Sequence, residues 1–352
     1  MKKYWAGFVL LFAAVLHISC TSAAGPAFAG GRSFSDSAGR SVEVSETVDS
    51  LAPSGPLAQI VLYTLAPDKL AGIATDFSRE AREYIDEKYW NLPKFGQFYG
   101  KNATLNMEAL ISAAPQVVVD IGEAKKTIRE DMNALQQQLG IPVVFVKATL
   151  DTLPETYSLL GELTGDTTRA EALSAYSGKL LEHAASVRAA LPEDERVRVY
   201  AAMGKAGLNT DARGSFHAEV LEKVGVLNVA DVRPDSKGGG SAVSFEQILL
   251  WNPRIILVET EDVRKHILED PVWESIDAVK NGRVYRIPSA PYSFISNPPS
   301  VNRLLGIMWL GHLAYPDYYS RELKKDVKEF YALFYSIDLT DAQYEEIMKN
   351  SY

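Results

Sequence analysis

The sequence predicts an α/β fold of two lobes with mainly parallel sheets, joined by one long helix. One observation is a pattern that occurs at residues 106–120 and again at 244–258. In each copy a capping Asn or Ser precedes an apolar-rich helix, and a proline and a run of aliphatic residues typical of a buried strand follow. The other observation is helical periodicity over residues 153–191, interrupted at Gly165-Asp166. Two distant copies of one pattern indicate duplicated α/β halves.

Length and composition limit the classes of function. The chain has 352 residues, enough for two domains, and its 47% hydrophobic and 23% charged residues are ordinary for a globular protein. Its net charge of −9 argues against nucleic acid or anionic lipid as the main partner, because both attract basic surfaces. A single cysteine excludes a disulfide framework and a thiolate metal cage.

The N-terminus has the pattern of a secretory signal. Two lysines precede an almost entirely apolar run at residues 4–18, which is too short to span a bilayer comfortably. Cys20 follows this run, where a bacterial lipoprotein carries its lipidated first residue. We therefore expect residues 1–20 to be a lipoprotein-type signal and Cys20 to carry a lipid anchor.

One feature departs from the lipoprotein pattern. His17 occupies the position three before the cysteine, where such signals have an aliphatic residue. Ordinary cleavage after Ala24 or Ala29 is the alternative. Either route places the protein outside the cytoplasm, in the periplasm or on the outer face of the membrane.

A flexible tether of small residues is predicted at 21–33, and the first lobe at 34–162. A turn sequence at 36–40 between two extended pieces predicts a β-hairpin. Strand–helix–strand order with short connections is typical of a parallel sheet covered by helices. The further predicted elements of this lobe are strands at 59–63, 70–74 and 141–146, helices at 79–89 and 125–139, and a loop at 92–100.

A linker helix is predicted at residues 163–192. The segment of this helix that follows a cap at Asp166 or Thr167 would run about 35 Å at 1.5 Å per residue, which is long enough to bridge two domains. Strand–helix alternation then resumes, so the second lobe is predicted at 193–352. Besides the second copy of the repeat, its predicted elements are strands at 197–203 and 283–287 and helices at 216–224, 301–313 and 320–335.

Each copy of the repeat carries a glutamate at the same place. Glu108 and Glu246 both lie two residues after the helix cap and seven before the proline. The helix dipole stabilises a carboxylate in the first turn, which by itself accounts for both residues. The alternative is that two equivalent lobes each present one carboxylate to a shared partner.

Several motifs occur in a characteristic order from Phe34 to the C-terminus. They are Asp36-Ser-Ala-Gly-Arg-Ser-Val, Gly100 followed by Asn106-Met-Glu-Ala-Leu and Pro115-Gln-Val-Val, Gly214-Ser-Phe-His-Ala-Glu-Val-Leu with Gly225-Val-Leu-Asn-Val-Ala230, the second repeat copy, and the stretch 273–285. In this order they resemble the extracytoplasmic substrate-binding proteins of ABC importers for iron–siderophore complexes, haem and cobalamin.

The resemblance implies two Rossmann-like lobes joined by one rigid helix, with cargo held between the lobes. It implies that Glu108 and Glu246, one on each lobe, dock onto arginines of the permease dimer. The expected partners are a small-molecule metal complex as cargo, the ABC permease dimer, and the membrane through the lipid anchor. We expect a monomer with no cofactor, no resident metal ion and no nucleic-acid partner.

Ligand in a two-lobe α/β binder is expected at the carboxyl ends of the strands, in loops facing the cleft. Aromatic faces suit a flat macrocycle or bulky chelate, and tyrosine hydroxyls can ligate ferric iron. Arg303 could hold an anionic siderophore or oxyanion, or could pair with a surface carboxylate; both interpretations stay open. The candidate ligand-binding residues are Tyr63, Tyr99, Met203, Lys205, Tyr292, Phe294, Asn297 and Arg303.

The leading function is therefore capture of a chelated metal for an ABC importer. A small oxyanion such as molybdate or tungstate, or a nickel or cobalt species, is the alternative cargo. The histidines are scattered, with no pair three or four residues apart, so no histidine-built metal site is predicted. An enzyme is not expected, because the sequence has no Gly-x-Ser-x-Gly elbow, phosphate loop or dinucleotide fingerprint.

Overall fold

The computed structural model describes residues 31–99, 103–234, 240–296, 298–319 and 322–352. The predicted signal with Cys20, and the candidate Asn297, lie outside the described residues. None of the helices within the described ranges is both long and apolar enough to cross a bilayer.

The strands, in chain order, are β1 (Gly31–Ser35), β2 (Ser41–Ser45), β3 (Leu51–Pro53), β4 (Val117–Gly122), β5 (Val143–Lys147), β6 (Arg198–Ala202), β7 (Asn209–Thr210), β8 (Leu227–Asn228), β9 (Ser241–Ala242), β10 (Ile255–Val258) and β11 (Val284–Arg286). The helices are α1 (Pro56–Leu65), α2 (Arg79–Arg82), α3 (Met107–Ala113), α4 (Ile128–Leu139), α5 (Leu153–Thr164), α6 (Thr167–Ala190), α7 (Glu219–Val224), α8 (Phe245–Trp251), α9 (Glu261–Glu269), α10 (Asp277–Lys280), α11 (Arg303–Ala314), α12 (Leu323–Phe330) and α13 (Asp341–Ile347). A π-helical turn, Tyr331–Tyr335, continues α12.

Two parallel sheets define the two lobes. The first has the order β3-β4-β5 and the second β11-β10-β6-β8. In the second sheet Ile256 pairs with Tyr200 on one side and Val284 on the other. The aliphatic runs of β4 and β10 are buried almost throughout, as expected for strands covered on both faces. The predicted α/β class with mainly parallel sheets is confirmed.

The long helix lies between the two sheets in the chain. Gly165, with a left-handed φ of +80°, ends α5, and the 24-residue α6 begins two residues later. At 1.5 Å per residue α6 is about 36 Å long. It packs against α5 of the first lobe and against α7 and α11 of the second. A single stiff element therefore connects the lobes.

Both copies of the sequence repeat form the predicted helix and strand. The side chains of Asn106 and Ser244 cap α3 and α8. Each helix ends at a residue with left-handed backbone, Ala114 at φ 45° and Asn252 at φ 40°, directly before the proline. Capping groups and proline act locally, so the sequence alone predicts these elements.

The strand predicted at 59–63 is wrong, because these residues lie in α1. Every residue from 58 to 65 is buried, so the segment has no polar face whose period could distinguish a helix from a strand. Pro56 occupies the first helical position, where the missing N–H costs nothing. The stretch at 70–74 forms only isolated bridges, and residues 79–89 form α2 and a separate 3₁₀ turn.

The predicted hairpin is confirmed, since β1 and β2 pair antiparallel with Phe34 opposite Val42. Residues 31–33, predicted as the end of the tether, are the first residues of β1. The hairpin packs on the first lobe, where Asp36 Oδ2 accepts a hydrogen bond from the N–H of Phe145 at 3.2 Å.

The C-terminal segment packs back on the first lobe. Tyr335 lies 6.3 Å from Tyr63, and Tyr331 lies 5.5 Å from Tyr84, measured between ring centres. The largest apolar core is therefore continuous through residues of both lobes. This packing limits how far the lobes can move apart without exposing aromatic surface.

Candidate functional site

A cavity of about 410 Å³ lies between the two lobes. One wall is the start of α1, which follows β3, together with residues 75–80. The other wall is the loop that follows β11. Both walls stand where parallel strands end, which is where open α/β sheets bind ligands. The lining residues are Pro56, Gln59, Ile60, Thr75, Asp76, Ser78, Glu80, Ser289, Pro291, Tyr292 and Pro298.

A second cavity of about 530 Å³ adjoins the first, because Glu80 and Ser289 line both. Its walls carry acidic groups from both lobes: Glu80, Glu83, Glu259, Glu261 and Glu346. Its two cations are Arg286 and Lys349. The excess of carboxylates gives this side of the cleft a negative potential.

Tyr292, a predicted ligand residue, lines the first cavity. Its loop, residues 288–296, is fixed by hydrogen bonds from Asn302. The amide of Asn302 donates to the carbonyl of Tyr292 at 2.9 Å and to that of Ala290 at 3.3 Å. The Tyr331 hydroxyl donates to the same Ala290 carbonyl. Burial raises the pKa of Tyr292 above that of an exposed tyrosine, which keeps its hydroxyl protonated at neutral pH.

Gln59 shapes the opposite wall. It is only 2% exposed, within an otherwise mostly apolar helix. Its Oε1 accepts hydrogen bonds from the N–H groups of Ala74 at 2.7 Å and Thr75 at 2.9 Å, and its Nε2 donates to the Thr75 carbonyl at 3.1 Å. Gln59 therefore fixes the loop that lines the cavity. Sequence reasoning missed this residue, although a single amide in an apolar run is a detectable signal.

Tyr99 belongs to a buried polar network in the first lobe. Its hydroxyl donates to Oδ2 of Asp120 at 2.6 Å, and the Ser54 hydroxyl donates to the other carboxylate oxygen. Asp120 is 4% exposed, and burial raises its pKa in spite of both hydrogen bonds. Burial and the neighbouring Asp120 also raise the pKa of Tyr99. The Tyr99 hydroxyl is thus committed to Asp120, and Tyr99 is not among the residues that line the two cavities.

Arg303 is buried, not displayed in the cleft. It is 2% exposed, and its Nη1 lies 2.6 Å from Oε2 of Glu219. The guanidinium also packs over the Phe216 ring, 4.6 Å from the ring centre. The same Glu219 oxygen accepts the N–H of Leu150 from the first lobe at 3.3 Å. Of the two interpretations left open, the structure shows the carboxylate pair, and this pair also connects the lobes.

A second polar cluster lies in the second lobe. Nδ1 of His217 and Oγ of Ser296 are 2.9 Å apart. Asp211, 7% exposed, interacts with both residues, and burial raises its pKa. Neither Asp211 nor Ser296 was a candidate, because single Asp and Ser residues in loops carry no distinctive pattern. Within the part of the chain that the structure describes, no three His, Cys, Asp or Glu side chains are grouped to hold a metal ion.

The other ligand candidates lie away from the cavity surface. Tyr63 is 5% exposed, near the C-terminal end of α1, and packs edge-on against other aromatic rings. Met203, 6% exposed, and Phe294, fully buried, lie in the interior. Lys205 is exposed on a turn after β6. The structure therefore does not bring Tyr63, Met203 or Phe294 to the surface of the cavity.

Glu108 and Glu246 are both exposed in the first turns of α3 and α8. Neither carboxylate pairs with a cation among the described residues. Its own backbone N–H, and then the Ser244 hydroxyl, lower the pKa of Glu246. A helix that covers a parallel sheet and leads into a strand runs antiparallel to that strand. Both glutamates therefore stand at the carboxyl edges of their sheets.

Sequence comparison identifies relatives of known name. A family model described as periplasmic binding protein matches residues 59–291. The chain is 35% identical over 146 residues to the molybdate-binding protein MolA of Haemophilus influenzae, and 24% identical over 196 residues to the Fe(3+)-citrate-binding protein YfmC of Bacillus subtilis. These matches cover 40% and 53% of this chain. They span only 40% and 58% of the lengths of the two relatives.

Structural comparison extends the similarity to nearly the whole chain. A solved structure described as an ABC transporter solute binding protein from Sulfurospirillum deleyianum matches with a TM-score of 0.83 at 28% identity. The match covers 90% of this chain and 99% of that one. The family resemblance drawn from the sequence motifs is confirmed. The chain belongs to the periplasmic binding protein family, whose members bind solutes for ABC transporters and are not enzymes.

Proposed function

We propose that this protein captures a chelated metal, such as a ferric siderophore, haem or a corrinoid, outside the cytoplasm and delivers it to the permease of an ABC importer. The observation that carries the proposal is the cavity between the carboxyl edges of two parallel sheets, with Tyr292 on one wall and the loop supported by Gln59 on the other. In this proposal Cys20 tethers the mature protein to the membrane.

The size of the cleft supports a chelate as cargo. The adjoining cavities of about 410 and 530 Å³ match the range of pockets that enclose drug-sized ligands. A tetrahedral oxyanion would fill only a small part of this space. The Tyr292 ring can contact a flat macrocycle. The acidic residues of the second cavity favour a neutral or cationic complex over a free anion.

A small oxyanion is the second candidate. The α1 helix begins at the cavity with Gly55 as its cap and Pro56 at its first position, and no side chain caps its first N–H groups. Such a helix N-terminus favours an anion. The relative named MolA is a molybdate-binding protein.

A titration distinguishes the two kinds of cargo. We expect tryptophan fluorescence to report saturable binding of a ferric siderophore, haem or cobalamin, and no comparable response to molybdate, nickel or cobalt salts. Tyr292→Ala should weaken chelate binding roughly tenfold. The control Tyr318→Ala, at a tyrosine 40% exposed away from the cavity, should bind as the wild type does. Saturable binding of molybdate alone would replace the chelate by the oxyanion as the cargo.

Docking through Glu108 and Glu246 is the second part of the proposal. Both are exposed, occupy equivalent positions and have no cationic partner among the described residues, which suits pairing with arginines of a dimeric permease. Glu108→Ala combined with Glu246→Ala should abolish uptake while cargo affinity stays unchanged. The control is Glu130→Ala, an exposed glutamate in the first turn of α4. Unimpaired uptake by the double variant would contradict docking at these residues.

A further inference from the structure

The two proposed docking helices share a second exposed feature. Ile111 in α3 and Leu249 in α8 lie three residues after Glu108 and Glu246, and their exposed fractions are 65% and 43%. Residues three apart in a helix are neighbours on one face. Each glutamate therefore has an exposed aliphatic side chain beside it.

Exposed large hydrophobic residues are concentrated on these two helices. Leu110 and Ile248, one residue earlier, are fully buried and hold the helices on their sheets. Only six large hydrophobic residues are exposed in the described ranges, and three of them lie on these two seven-residue helices. The third is Leu250, 80% exposed, at the position that Ser112 occupies in α3. Large exposed apolar side chains that cluster in this way are typical of interaction surfaces.

We propose that each lobe docks through a two-part contact, in which the glutamate meets a basic side chain and the neighbouring Ile111 or Leu249 enters an apolar pocket of the permease. This inference rests on the proposed function. Its occupant is the permease dimer, because two copies of one patch match a partner that presents the same receptor twice. The unpaired carboxylates require that receptor to be basic.

The apolar part of the contact supplies binding affinity that exposed ion pairs do not. Exposed ion pairs contribute little to affinity and are screened by salt. Burial of an isoleucine or leucine side chain strengthens association by roughly tenfold or more, and salt does not screen it as it screens an ion pair. Leu250 enlarges the apolar part on the second lobe, so that lobe should contribute more to docking.

The test uses the full protein and the permease–ATPase complex of its importer in lipid nanodiscs, with binding followed by biolayer interferometry. Ile111→Ser combined with Leu249→Ser should weaken docking roughly tenfold or more at both about 50 mM and about 500 mM salt. Glu108→Gln combined with Glu246→Gln should weaken docking mainly at the lower salt. Tyr318→Ser, at a residue 40% exposed beyond the end of α11, is the control and should dock as the wild type does.

The outcomes separate the two proposals. In one outcome the double serine variant docks like the wild type, whereas the double glutamine variant does not. The apolar contact is then overturned, and docking through the glutamates stands. If both double variants dock like the wild type, neither proposal survives. Weakened docking of the double serine variant, with cargo affinity and melting temperature retained, supports the two-part contact.

Discussion

The Tyr335 hydroxyl donates a hydrogen bond to Oδ1 of Asn302 at 2.5 Å. That bond orients the Asn302 amide, whose nitrogen donates to the carbonyls of Tyr292 and Ala290. Both partners are buried, with Tyr335 4% exposed and Asn302 fully buried. Tyr335 belongs to the segment that packs on the first lobe, whereas Asn302 directly precedes α11 of the second. The cavity loop is therefore positioned by a contact that depends on both lobes.

Replacement of this tyrosine tests the link between the C-terminal segment and the site. Tyr335→Phe leaves Oδ1 of Asn302 buried without a donor, so we expect the free energy of unfolding to fall by about 1–2 kcal/mol. Cargo affinity should fall as well, because the 288–296 loop loses its support. The control Tyr352→Phe removes a hydroxyl from a residue that is 61% exposed, and should change stability by less than about 0.5 kcal/mol. Urea unfolding and cargo titration measure both effects, and equal stability of the two variants would contradict the prediction.

Close packing of α11 on the same loop predicts opposite effects for two glycine substitutions. A Cβ on Gly306 would overlap the carbonyl oxygen of Phe294, so the helix or the loop must move. We expect Gly306→Ala to lower the free energy of unfolding by about 2 kcal/mol or more, and to weaken cargo binding.

Gly178, in the middle of α6, is the matched control. A Cβ there would meet its nearest atom, Cγ of Pro154, at 3.8 Å, which is ordinary contact. Gly178→Ala should therefore raise the free energy of unfolding by about 0.5–1 kcal/mol, because alanine is the better helix former. Chemical denaturation of both variants measures these changes. A change of the same sign in the free energy of unfolding of both variants would contradict the prediction.

The elements that sequence predicts best are those set by local chemistry. Asn106 and Ser244 cap their helices through their own side chains, and a proline ends each helix nearby. The α1 helix is not predicted correctly, because its residues are buried on all sides and show no helical period. Its helical state depends on the surrounding core. The lobes and the linker helix follow from the repeat and from the break at Gly165, which are both visible in the chain.

The site is less predictable, because it depends on contacts distant in sequence. Tyr292 and Phe294 share one loop, yet only Tyr292 lines the cavity, while Phe294 is fully buried and its carbonyl packs against Gly306. The partner of Arg303 is Glu219, 84 residues away, and no local pattern indicates that pair. Sequence thus identifies the loops that face the cleft, but tertiary packing decides which side chains reach it.

The buried carboxylate of Asp120 predicts a specific pH dependence of stability. Burial raises its pKa in the folded protein above the unfolded value of about 4. Between these two values the folded state binds more protons than the unfolded state, so the stability contributed by protonated Asp120 is complete below about pH 4 and is lost as the pH rises through the folded pKa. The Asp120→Asn variant has no titrating group at this position, so its stability does not show this decrease with rising pH.

The stability difference between wild type and Asp120→Asn isolates this effect, because the other titrating groups are common to both proteins. We expect the free energy of unfolding of the wild type, minus that of the variant, to decrease as the pH rises from about 4 towards 8. Urea unfolding at several pH values measures the difference. If the Asp120→Asn difference is constant over this range, burial of Asp120 does not disfavour its charged form, and the Ser54 and Tyr99 hydrogen bonds must offset that burial fully.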